Sequence, residues 1–325
     1  MPPLSPQDVT WDPEMLAFTR RMDQVAKGMP PIVMEKPFDK ARALNEALNL
    51  PLSQGGPVMA ESRDVWVLVR GRRMQCRLHI PQGAQGPVPV LIYVHGGGWV
   101  WASIDTHDRL MREYAAASGF AVLGPDYALS PEAVFPQAIE ETAGIVRWVK
   151  EEGASLGFDT ERVILGGDSA GANLALGATL LLQETDPALR LSGLLLNYGV
   201  FDADLETPSY RDYETGFGLT RERMSFYWEA YCPRPADRLN PIASPLRAST
   251  EALSRLPPTL LHIAQLDVLA SENHAMAARF EAAGVALTKE LFPGTTHGFL
   301  RAQEEVGAAR RSATQAGAWM KGLFA

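Results

Sequence analysis

The sequence predicts an α/β protein with a central, mostly parallel sheet flanked by helices. Three observations point there. From about residue 88 onward, short apolar runs alternate with longer segments of helical spacing. The runs are continuously apolar rather than alternating, as strands covered on both faces must be. Glycine clusters at 96–98 and around 167–171 stand where such a run ends and a new segment begins.

Residues 1–57 form a separate N-terminal piece. Met15, Phe18, Met22 and Val25 recur at helical spacing, Ala41–Leu48 repeats the pattern, and the breaker run PLSQGGP closes the piece at 51–57. Alternation over Asp64–Val69 and Met74–Ile80 then reads as two strands joined by a short basic turn, Arg70 to Arg73. Six further strands are expected at Val88–Val94, Ala121–Gly124, Val163–Gly166, Ser192–Asn197, Thr259–Ala264 and Leu287–Phe292. Helices are expected between and after them, at about 106–118, 136–152, 170–184, 271–283 and 302–322.

The rhythm breaks at 201–248, a stretch rich in aromatic residues: Tyr210, Tyr213, Phe217, Phe226, Tyr227, Trp228 and Tyr231. It reads as an insertion between two strands. Together with 1–57 it could form a lid, leaving 58–200 and 249–325 as the α/β unit. Aromatics at helical spacing mostly pack a cap onto a core. From this insertion and the loop at Trp99, an apolar wall around a small pocket is expected, with Trp99, Tyr210 and Phe217 as its substrate-facing members.

Composition narrows the class. The chain has 325 residues, 46% hydrophobic and 21% charged, with a net charge of −8. That is enough to bury a large core without metal or disulfide staples. The acidic balance and the lack of a basic cluster disfavour nucleic-acid binding. Cys76 and Cys232 lie far apart without ligand spacing, and no His/Asp/Glu pair suggests a metal, so no cofactor is expected. The first residues lack a signal-peptide pattern, and no apolar run reaches the ~18 residues of a membrane span. A cytoplasmic protein is expected, with oligomeric state open.

Gly167-Asp168-Ser169-Ala170-Gly171 follows one apolar run and opens a helical stretch. G-x-S-x-G between strand and helix is a nucleophile elbow, a turn too sharp for bulky flanking residues. His95-Gly96-Gly97-Gly98-Trp99 follows the strand at 88–94 and can aim backbone amides at a bound group. The expected oxyanion donors are the amides of Gly97, Gly98 and Ala170. A phosphate loop would need a lysine or a G-x-G-x-x-G frame, and neither is present.

A serine hydroxyl needs a base, and the base an orienting acid. In the order Ser, acid, His, the histidines at 79, 95 and 107 come too early. His262 lies inside an apolar run, as a satisfied buried histidine would, and His274 in a helix, as a surface residue would. His297, in a loop after the last strand, is the candidate base. Asp267, at the carboxyl end of the preceding strand, is the candidate acid. Glu272 is its rival, although its place early in a helix suits N-terminal charge compensation.

Together these residues resemble the hormone-sensitive-lipase-like family of α/β-hydrolase carboxylesterases, over roughly residues 60–325. The motifs are His95–Trp99, Gly167–Gly171, Asp126–Glu132 with Phe135-Pro136, Asn240–Leu246 and His297-Gly298-Phe299. The resemblance implies an α/β-hydrolase fold, a helical cap from 1–57 and 201–248, and a serine esterase acting on short-chain esters through an acyl-enzyme. An amidase or peptidase with the same triad, or a ligand-binding relative without catalysis, stand as alternatives. Ala128 and Ser130 depart from the family's usual DYRLAPE, which puts local ion pairing in question. Ser271 replaces a usual aspartate and removes a rival to Asp267. Asp126, Tyr127, Glu132 and Asp168 are read as scaffold.

Overall fold

The computed structural model describes residues 3–33 and 36–325. Of the 1–57 piece, residues 1, 2, 34 and 35 therefore lie outside the described residues. Eight strands form one sheet: β1 (Glu61–Val69), β2 (Arg72–Ile80), β3 (Val88–Val94), β4 (Ala121–Pro125), β5 (Phe158–Asp168), β6 (Gly193–Asn197), β7 (Thr259–Leu266) and β8 (Leu287–Thr296). Their order is β1-β2-β4-β3-β5-β6-β7-β8. Only the β1–β2 and β2–β4 pairs are antiparallel. From β4 to β8 every pair is parallel, so the C-terminal ends of β3, β5, β7 and β8 meet at one rim.

The helices are α1 (Pro13–Lys27), α2 (Asp39–Asn49), α3 (Asp108–Ser118), α4 (Gln137–Glu152), α5 (Ala170–Thr185), α6 (Pro208–Asp212), α7 (Arg221–Tyr231), α8 (Thr250–Ser254), α9 (Ala270–Ala282) and α10 (Gly307–Gly322). The side-chain period of two along each strand splits the core. Val90, Ile92 and Val94 of β3 face one layer, with residues of α4, α5 and α9, while Leu91 and Tyr93 face the other, with α3 and α10.

The expected strands and helices all form, with three instructive shifts. β8 runs past Pro293-Gly294 to Thr296, because the β7–β8 register slips between Ala264 and Leu266 and re-pairs Leu266 with Thr296. The last helix starts at Gly307, after a short 3₁₀ turn at Phe299–Arg301. In α1, Met15 and Phe18 are buried, but Val25 is exposed and Met22 borders a cavity. That helix faces a hollow along part of its length rather than solid core.

Within 201–248 lie α6, α7 and two 3₁₀ turns. The N-terminal piece touches this stretch: Trp11 stacks on Phe217, and Phe38 meets Phe226 and Trp101. Arg42 of α2 also ties down the loop after β3, bonding the carbonyl oxygens of Val100 and Ser130 while pairing with Glu132. Both cysteines are free and buried, and burial pushes their thiols up, Cys76 to about 12 and Cys232 to about 11. Such thiols are inert rather than nucleophilic. Among the described residues no helix is long and apolar enough to cross a membrane, and no cluster of His, Cys, Asp and Glu could hold a metal ion.

Candidate active site

β5 ends at Asp168 and α5 begins at Ala170, leaving Ser169 alone in the turn with φ 56° and ψ −120°. This is a strained conformation for a residue with a side chain, and the packing around it holds it there. A Cβ at Gly167 or Gly171 would collide with the carbonyl oxygen of Val94 at the end of β3. The elbow thus rests backbone against backbone on its neighbour strand, which is why glycine must stand on both sides. Asn173 fastens the new helix, donating to the carbonyl oxygens of Val200 and Ala243.

The loop after β3 lies beside it. Gly97 has φ +118°, a value side chains rarely adopt, and a Cβ at Gly98 would stand 2.5 Å from the ring of Tyr227. The amides of Gly97 and Gly98 have no acceptor among the described residues. Ala170 is the first residue of α5, so its amide has no carbonyl one turn back, and the helix dipole favours negative charge there. Three donors therefore stand unspent around the serine.

The slip in β8 brings His297 to the same rim. Its Nε2 lies 2.8 Å from Ser169 Oγ, and its Nδ1 lies 2.7 Å from Asp267 Oδ2. The other Asp267 oxygen accepts from the amide of Leu269 at 3.0 Å. The Tyr198 ring stands edge-on to the imidazole at 4.9 Å. Asp267 is buried, whereas His297 keeps some exposure, as a group that must meet substrate would.

The remaining polar residues support this frame. Asp168 accepts from the Tyr93 hydroxyl and the Gly96 amide, linking the elbow to the glycine loop. Burial by itself would raise its carboxyl, but neighbouring His107 holds it down to about 2. His95 bonds the Gly96 carbonyl and stacks on Tyr127, whose hydroxyl donates to the His95 carbonyl oxygen. Burial and nearby His107 push His95 down to about 3, so it is neutral. His262 sits in β7 with Nδ1 near Asn197 and Ser312, and His274 is exposed. The pairing questioned at Ala128 comes from β2 instead: Arg72 pairs with Glu141 at 3.0 Å, and Glu141 also accepts from the Ala128 amide.

Two expectations need correction. Glu272 stands in the first turn of α9 as expected, but it is buried there rather than exposed at the helix terminus. One of its oxygens accepts from the Phe201 amide, and burial pushes the carboxyl well above its ordinary value. Trp99, Tyr210 and Phe217 do not face the hollow beside the serine. Each is fully buried; Trp99 stacks on Tyr231, and Phe217 on Trp11. Trp99 has φ 61°, which turns its ring away from the site and under α7.

The hollow itself is a cavity of about 360 Å³ holding Ser169 and His297. Its walls are Met15, Phe18 and Met22 of α1, Leu48 and Asn49 of α2, Leu52, Trp101, Leu219, Tyr227 of α7, and Arg301. Sequence reading missed most of these. Trp101 and Tyr227 carried only a generic aromatic signal, and nothing local separates a cavity-facing ring from a packed one.

Known proteins resemble this chain in sequence and fold. A family model described as the α/β-hydrolase fold matches residues 91–301. Ethyl acetate hydrolase of Pseudomonas putida is 38% identical over 213 residues, 65% of this chain and 66% of that one. The chain thus spans about two thirds of that relative's length. A solved thermostable esterase from Pseudomonas putida superposes with a TM-score of 0.91 at 32% identity, covering 99% of both chains. An ester-hydrolase from the metagenome of Lake Arreo, solved with a bipyridine phosphonate derivative, gives 0.91 at 29% identity over 97% of this chain and 99% of that one. With a nucleophile elbow on its central strand and this company of relatives, the chain belongs to the hormone-sensitive-lipase-like carboxylesterases of the α/β-hydrolase fold and is a carboxylic ester hydrolase.

Proposed function

We propose that this enzyme hydrolyses small, short-chain carboxylic esters through an acyl-enzyme formed on Ser169. The observation that carries the reading is the unbroken chain of hydrogen bonds from Ser169 through His297 to Asp267. Ser169 Oγ attacks the ester carbonyl carbon while His297 Nε2 takes its proton. Asp267 holds the imidazole tautomer and stabilises the imidazolium. The carbonyl oxygen becomes an oxyanion received by the amides of Gly97, Gly98 and Ala170. As the C–O bond breaks, His297 returns the proton to the leaving alcohol. Water, deprotonated by the same imidazole, then releases the acid and restores the serine.

A short-chain preference is supported by cavity size, since about 360 Å³ is near the small end of ligand pockets, roughly 300–1,000 Å³. The named activity of the ethyl acetate hydrolase relative agrees with it. In this reading 1–57 and 201–248 act as the cap, and 58–200 with 249–325 as the catalytic unit, working in the cytoplasm. The experiment is a panel of esters of graded acyl length, with a serine-directed phosphonate whose attachment site is mapped. The expected outcome is labelling at Ser169, loss of at least about 10⁴-fold in kcat in Ser169→Ala, and best turnover from acetyl to hexanoyl. Label elsewhere with activity retained, or long-chain triglycerides as best substrates, would overturn it.

A further inference from the structure

One charged group in the cavity has no place in the scheme above. Arg301 lies half-buried in the cavity wall, four residues after the candidate base. Its Nη1 donates to Asn49 Oδ1 at 2.6 Å, and Asn49 is itself buried and braced by donating to the Asn45 carbonyl oxygen. Its Nη2 lies 3.5 Å from where a Cβ on Gly298 would stand, so the guanidinium sits directly beside the His297 loop. No carboxylate among the described residues comes within ion-pair distance of it, although arginines elsewhere in this acidic chain are widely paired. Asp168 also borders the cavity, where its Oδ1 accepts from Tyr93 and Gly96; it feels the Arg301 charge through space but lies beyond ion-pair distance. The other charges on the wall are Asp23 and Arg223, which are exposed and unpaired. Beside the reacting groups, the cavity therefore holds a fixed cation with open donor edges.

Resting on the esterase reading, we infer that the preferred ester carries a carboxylate of its own, received by Arg301. A planar guanidinium offers two parallel N–H groups that match a carboxylate's two oxygens, and one brace through Asn49 leaves such an edge free. Partial burial strengthens the pairing relative to a surface pair. The cap supplies this selectivity as much as the catalytic unit does, because α2 holds the arginine in place.

The test compares charged and neutral isosteres on the full chain. Monoethyl succinate against ethyl levulinate places the charge on the acyl side, and acetoxyacetate against acetoxyacetamide places it on the alcohol side. In at least one pair the parent enzyme is expected to favour the anion in kcat/KM by about ten-fold or more, less so at high salt. Arg301→Gln should cut that ratio by about 10- to 100-fold through KM. Arg301→Lys should recover part of it, while the remote exposed Arg190→Gln, with the same charge loss, should leave it unchanged. Neutral esters preferred in both pairs by the parent enzyme, or a ratio insensitive to Arg301→Gln, would overturn the inference. The parent comparison stands even if a variant does not fold. If neutral esters are still cleaved and Ser169 still labelled, only this inference falls; if both are lost, the esterase reading falls with it.

Discussion

The cavity beside Ser169 has two walls built on opposite terms. One is backbone: the ends of β3 and β5 and the glycine loop, where Gly167 and Gly171 press against the Val94 carbonyl. The other is side chain: Met22 of α1, Leu219 and Tyr227, drawn from the two segments outside the sheet. The first wall has no room for an added methyl group. The second includes partly exposed residues and meets the first mainly through side chains, among them Arg42 on the Val100 carbonyl oxygen, Tyr227 against Gly98, Trp99 on Tyr231, and the cluster of Phe38, Trp101 and Phe226. In the proposed reaction, geometry would depend on backbone that cannot shift, and substrate range on side chains that can be exchanged.

That contrast can be broken or sharpened by substitution. The largest effect belongs to the catalytic wall. Asp267→Asn keeps the shape of the site but presents the wrong donor to His297, and kcat measured on a chromogenic acetate should fall by about 10⁴-fold. Gly171→Ala comes next. The new Cβ must displace Val94 or tilt α5, costing about 1–3 kcal/mol of stability and a large part of the activity; a melt and rate matching the parent would show the two backbones are not in tight contact. On the opposite wall, Met22→Ala should enlarge the cavity and shift acyl preference toward longer chains, with kcat/KM changing by no more than about 200-fold. A loss as deep as that of Asp267→Asn would erase the distinction between the walls.

The smallest effect concerns stability alone. Because burial raises Glu272 well above its ordinary value of 4.5, the folded protein holds a proton that the unfolded chain releases above that pH. Stability from this group is present at low pH and declines as pH rises toward the folded-state value. Glutamine has no such proton to lose, so thermal melts should show the stability of Glu272→Gln relative to the parent increasing between about pH 5 and 8. An unchanged difference would mean the carboxyl is already ionised in the fold.

Much of the candidate site was legible along the chain. G-x-S-x-G and the triple glycine announce themselves because tight turns exclude side chains, and Asp267 and His297 follow from chain order and their place after strands. Strand cores were equally clear, since a doubly covered strand must be apolar throughout. The placement of aromatic rings was not. Trp99, Tyr210 and Phe217 have the composition of a pocket wall, yet all three are packed away, while Trp101 and Tyr227 face the cavity. A ring gains similar hydrophobic free energy against core or against cavity, so its sequence signal is the same in both.

Local sequence therefore determined where the backbone must turn and which residue types can exchange protons. Tertiary structure alone decided which groups share the cavity. It took the slipped register of β7 and β8 to set His297 beside Asp267, and the brace from Asn49, 252 positions away in sequence, to leave Arg301 facing the hollow with no carboxylate in ion-pair contact among the described residues. Turn strain is a property of a few consecutive residues, whereas burial, pairing and free volume depend on segments that meet only after folding.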